Sequence, residues 1–136
     1  MTLNGGLGDV TSLKNRPLVS AVSGKISAVK SSNGVDYWVV SHRWESDEFV
    51  SIKVTSGGVD TNNLVTSKAG IIQDGTNGEI GFMKISPDGS KLAQAINGKN
   101  VFEIFDFDNL SGKVTNAISS QPVYSSAYGV EKRWHL

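Results

Sequence analysis

The sequence predicts an all-β fold of two antiparallel four-stranded sheets, and three observations predict it. One unit occurs twice. Ile80-Gly81-Phe82-Met83-Lys84-Ile85-Ser86-Pro87-Asp88-Gly89-Ser90-Lys91-Leu92-Ala93 reads as strand, Pro-Asp-Gly turn and strand, and a looser version runs from Lys25 through Ser31-Ser32-Asn33-Gly34 to His42. No segment holds a 3.6-residue apolar period over three turns, whereas period-two alternation recurs. Glycines number 15 and prolines only 3, which fits many tight turns between short strands. Units of roughly 40 to 55 residues made of short antiparallel strands are the mark of propeller blades. The expected architecture is therefore an incomplete β-propeller, completed by oligomerisation.

Taken in order, residues 1–23, with Gly8-Asp9-Val10-Thr11 and Pro17-Leu18-Val19-Ser20, read as the outer strand of a preceding blade. A first blade is expected over 24–73, with strands near 24–30, 36–42, 48–54 and 64–72. The surface loop Gln73-Asp74-Gly75-Thr76-Asn77-Gly78 leads to a second blade over 79–120, with strands near 80–86, 91–96, 100–107 and 113–119. Residues 127–131, including Tyr128-Gly129-Val130-Glu131, read as the start of the next blade. Asn33-Gly34, Gly57-Gly58, Asp88-Gly89 and Gly112 supply the positive φ that tight hairpins require. Alternation puts Tyr37, Val39 and Ser41 on one face and Trp38, Val40 and His42 on the other. It separates Val101, Glu103, Phe105 and Phe107 from Phe102, Ile104, Asp106 and Asp108 in the same way. Apolar residues on both faces predict burial on both.

Charge and composition remove several functions. Acidic and basic residues balance at 13 each, and the lysines and arginines are scattered, so nucleic-acid binding is not expected. There are 0 cysteines, which excludes disulfides, thiolate metal sites and cysteine nucleophiles. No apolar stretch approaches the roughly 18 residues of a membrane span. Met1-Thr2-Leu3-Asn4-Gly5-Gly6 has neither a basic nor an apolar leader region, so no signal peptide is expected in this sequence.

Gly34-Val35-Asp36-Tyr37-Trp38-Val39-Val40-Ser41-His42, the Lys84–Ala93 hairpin and Glu103-Ile104-Phe105-Asp106-Phe107-Asp108 together resemble WD-repeat-like, YVTN-type propellers. The resemblance is strongest to propeller regions of large Bacteroidetes surface proteins with a type IX secretion sorting domain, over roughly residues 7 to 131. It implies a secreted or cell-surface parent protein and a binding or spacer role without a catalytic set.

The richest side-chain cluster is His42-Arg43-Trp44-Glu45 at a strand end. As a ligand platform, Trp44 would stack on a sugar ring while His42 or Glu45 bonds its hydroxyls. The structural reading is favoured: His42 bonded to backbone, Trp44 filling space between sheets, and Arg43 paired with Glu45 or a neighbour. Asp106, Asp108 and Asn109 cluster oxygens beside a turn, but without a calcium-loop spacing they read as turn caps. Asp88 suits an Asx bond in its turn. A nucleophile–base–acid set needs a histidine near a serine and a carboxylate, and only His42 and His135 exist. No enzyme, cofactor or metal is expected. The sequence thus points to a non-catalytic interaction or scaffold module whose expected partners are protein ligands, further blades and, through homo-oligomerisation, other copies of the chain. A carbohydrate-binding module using exposed aromatics such as Trp44 or Tyr128 is the alternative, and a hydrolase formed only in a complete ring is the weaker one.

Overall fold

A computed structural model describes residues 4–9, 12 and 14–130. The described residues form two antiparallel sheets. The first contains β1 (Val22–Lys30), β2 (Tyr37–Arg43) and β3 (Glu48–Thr55), with β4 (Gly58–Val59) and β5 (Val65–Lys68) both on the far edge of β3. The second is a meander of β6 (Met83–Ile85), β7 (Lys91–Ile96), β8 (Val101–Asp108) and β9 (Lys113–Ser119). The all-β expectation and most strand positions therefore hold.

Four expected strands differ, the first two for a local reason. The fourth strand of the first sheet is broken in two, because Asp60 Oδ1 accepts the backbone N–H of Asn62 and of Asn63, both at 3.2 Å, and so diverts the chain from the ladder. It ends at Lys68 rather than residue 72, since Gly70 turns at φ 82°. β6 begins only at Met83, after Gly81 at φ 124°, where an added Cβ would lie 2.2 Å from the Ala95 carbonyl oxygen. At the termini, residues 14–21 carry no strand. Tyr128 to Val130 is likewise not a strand; Phe82 N–H donates to the Tyr128 carbonyl at 2.7 Å and the two rings meet edge to face at 5.0 Å. Glu131 lies outside the described residues.

The two hairpins share one frame. Ser31 N–H donates to the Asp36 carbonyl at 2.8 Å and Gly34 N–H to the Ser31 carbonyl at 2.9 Å. Ser86 N–H donates to the Lys91 carbonyl at 2.8 Å and Gly89 N–H to the Ser86 carbonyl at 2.8 Å. Ser31 thus corresponds to Ser86, Tyr37 to Leu92, Trp38 to Ala93 and Val39 to Gln94. Strand pairing agrees, with Val29 opposite Trp38 where Lys84 is opposite Ala93.

The sheets stack face to face, β1 near β6 and β5 near β9. Their core contains Val29, Trp38, Val40 and Phe49 from the first sheet, with Ile85, Leu92, Phe105, Phe107 and Val114 from the second. Trp38 is buried on the shared layer while its counterpart Ala93 is on the opposite, outer face; Leu92 is buried on the layer while Tyr37 is 48% exposed. Opposite faces of equivalent units therefore meet. Serines join the sheets: Ser27 Oγ accepts from Ile85 N–H at 3.0 Å, Ser51 Oγ donates to the Gly112 carbonyl at 2.7 Å, and Ser67 Oγ accepts from Val114 N–H at 3.0 Å. The expectation of burial on both faces fails in the second sheet. Its outer face leaves Ile104 50% and Ile118 72% exposed, because the described residues hold one other sheet and it covers the opposite face.

Candidate functional site

Between the sheets, at the end away from the Ser31 and Ser86 turns, runs a chain of buried polar groups. Lys25 on β1 faces inward with Ser23 and Val29, an alternation that buries its whole side chain. Its Nζ donates to Gln73 Oε1 at 2.8 Å and to the carbonyls of Gly78 and Glu79 at 3.1 and 3.0 Å. These are the three acceptors an ammonium can use. Gln73 Nε2 donates to Gln94 Oε1 at 2.8 Å, and Gln94 Nε2 donates to Glu103 Oε2 at 2.9 Å. Glu103 Oε1 accepts from Ser119 Oγ at 2.6 Å and from Ile71 N–H at 3.1 Å. Gly70 permits this approach, since a Cβ there would sit 2.8 Å from both carboxylate oxygens. Burial lowers the Lys25 pKa to about 8, opposed by the nearby Glu79 carboxylate, so the group remains an ammonium at neutral pH. One cation and one anion are thus linked through two amides, with each named polar atom partnered. The chain of bonds can fix how the sheets are aligned; it presents no open position to a ligand.

None of these four residues stood out as a site in the sequence. Gln94 and Glu103 did leave a signal, each a polar residue on the buried parity of an apolar strand, between Leu92 and Ile96 and between Val101 and Phe105. Gln73 left none, because it belongs to a connecting segment and is buried only by the tertiary fold.

The expected platform divides among different surroundings. His42 is fully buried; its Nδ1 lies 2.8 Å from the Arg43 carbonyl and its ring meets Phe49 edge to face at 4.5 Å. Nε2 finds no hydrogen-bond partner among the described residues. Burial lowers the pKa to about 4, an effect opposed by the Arg43 carbonyl and reinforced by Lys25. Arg43 points to the other face, where its Nε meets Glu48 Oε1 at 2.5 Å, rather than Glu45. Trp44 and Glu45 form the β2–β3 turn, Trp44 half-buried and Glu45 exposed at φ 53°. Arg43 and His42 diverge by strand alternation, so the four side chains do not converge on one ligand position.

The aspartates are engaged locally. Asp108 Oδ1 accepts Leu110 N–H at 3.0 Å and its other oxygen accepts Ser111 Oγ at 2.5 Å, a turn cap whose bonds lower its pKa. Asp106 instead pairs with Lys91 and with Asn116, whose Nδ2 donates at 2.7 Å. Asp88 Oδ1 accepts Ser90 N–H at 3.2 Å, the Asx bond its turn calls for. His135 lies outside the described residues. Among the described residues no helix is long and apolar enough to cross a membrane. No family model matches the chain, and no curated protein matches it.

Proposed function

We propose that the chain is a non-catalytic interaction or scaffold module, two consecutive propeller blades of a secreted or cell-surface protein. One observation carries the reading: opposite faces of two equivalent hairpin units meet. A twofold-related sandwich would join equivalent faces and close on itself. An operation that joins opposite faces keeps its direction and can repeat, as stacked blades require. The location rests on the sequence resemblance alone. Carbohydrate binding has less support, because Trp44 is half-buried in a turn; Tyr128 is 53% exposed as that reading needs, with its ring edge to face against Phe82.

A tandem fusion of two copies through a short flexible linker tests the repeat. The expected result is one cooperative denaturant transition whose slope is about twice that of the single chain. Two separate transitions, or an unchanged slope, would remove the blade reading. Titration with an oligosaccharide panel, followed by tryptophan fluorescence, is expected to be silent. A response abolished by Trp44→Ala would move the assignment to carbohydrate binding.

A further inference from the structure

We infer that the outer face of the second sheet docks a second copy of this chain, through the outer face of that copy's first sheet. The inference rests on the blade reading and names its partner. A groove of about 280 Å³ lies on the outer face of the second sheet, lined by Lys84, Lys91, Ala93, Ile104 and Val130. Ala93 stands where the first sheet has Trp38, so the groove occupies a position that an indole fills in the equivalent unit. Across the internal interface the large Trp38 faces a layer containing Leu92. Repeating that operation brings Tyr37 of the next copy, the counterpart of Leu92, over Ala93. The sizes are exchanged: tryptophan against leucine inside, alanine against tyrosine outside.

The remaining positions follow the same mapping. Tyr37 is 48% exposed, Ile104 50% and Ile26 67%, on the two faces that the operation would join. Val54 on the first sheet, paired with Tyr37, takes the place that Phe105 holds beside Leu92. One pair opposes the contact: Lys84 replaces Val29 and Lys30 replaces Ile85, so two exposed lysines approach each other. The association is therefore weaker than the internal interface and is strengthened by salt.

Light scattering and sedimentation of the full chain from micromolar to millimolar concentration test the docking. The mass is expected to rise above the monomer with concentration, and more steeply at high salt. Tyr37→Ala, a surface change, should weaken association about tenfold. Lys84→Glu should strengthen it at low salt by opposing the neighbour's Lys30, and Ala93→Trp should block it. A mass that stays monomeric at millimolar concentration overturns the inference, as does association that neither Tyr37→Ala nor Lys84→Glu alters. Association seen only after removal of residues 131–136 would make the chain's own tail the occupant and overturns it as well. Trp38→Ala separates this failure from failure of the blade reading: if the melt falls while the wild type stays monomeric, only the second copy is lost. An unchanged melt in Trp38→Ala would remove the internal stacking itself.

Discussion

The layer between the two sheets has a dry apolar end and an equally buried polar end, built by opposite means. Near the hairpin turns, Trp38, Val29, Ile85, Leu92 and Phe105 close the space with apolar volume. Trp38 Nε1 donates to the Asn109 carbonyl at 3.0 Å, and an added Cβ at Gly112 would come within 2.8 Å of the Trp38 ring. At the other end Lys25, Gln73, Gln94 and Glu103 fill similar space with directional bonds. Apolar burial supplies free energy but tolerates sliding, whereas a bonded chain loses its partners if the sheets shift. One end of the stack therefore supplies the stability and the other fixes the alignment.

The largest effect is expected at the dry end. Trp38→Ala removes a nearly fully buried indole and should cost about 3–5 kcal/mol by denaturant unfolding. A loss below about 1 kcal/mol would mean that the sheets do not depend on this contact. At the polar end, Lys25→Met leaves Gln73 and the Gly78 and Glu79 carbonyls without their donor, and about 3 kcal/mol should be lost. The two ends should then respond differently to a second change. Lys25→Met combined with Glu103→Gln should cost less than the two singles added, because both break the same chain of bonds; a coupling of about 1 kcal/mol is expected. Strict additivity would mean that the bonds act independently.

His42 lies on the shared layer, edge to face with Phe49, and makes the stability of that layer depend on pH. Its pKa is held at about 4 against an ordinary 6.5. Between those values the unfolded chain binds a proton that the folded chain refuses. Stability from this group is therefore complete above pH ~6.5 and falls as pH drops toward 4, by about 2 kcal/mol at pH ~5. His42→Leu should flatten that window in pH-dependent denaturation. A wild-type curve already flat between those values would show that solvent reaches the ring. Asp60, Asp74, Asp106 and Asp108 have pKa values lowered from 3.8 by hydrogen bonds, so their contribution is lost at still lower pH.

The same two ends explain what the sequence could disclose. The dry end is written locally: alternation placed Trp38, Val40 and His42 together and separated Phe105 and Phe107 from Ile104, and the structure keeps those faces. The turn residues Asn33-Gly34 and Asp88-Gly89 likewise carry their geometry with them, as φ 71° at Gly34 and 68° at Gly89. The polar end is not written locally. Lys25 and Gln73 are 48 positions apart, and the ammonium becomes buried only when the connecting segment folds over it. The broken fourth strand was hidden for a different reason, since Asp60 competes with the ladder through its side chain rather than through its strand propensity.

In His42-Arg43-Trp44-Glu45, adjacency along the chain does not bring the side chains together, because the strand sends His42 and Arg43 to opposite faces. Arg43 and Glu48 are both partly exposed, and their 2.5 Å contact is solvent-screened. Arg43→Ala should therefore cost no more than about 1 kcal/mol, and the difference from wild type should shrink further in high salt. Arg43 also donates from a terminal nitrogen to the Ser20 carbonyl at 3.1 Å, an exposed bond that ties the N-terminal segment to β2. A larger, salt-insensitive loss would show that this tie, rather than the ion pair, is what Arg43 contributes. Such a result would extend the bonded alignment of the layer to the outer face of the first sheet.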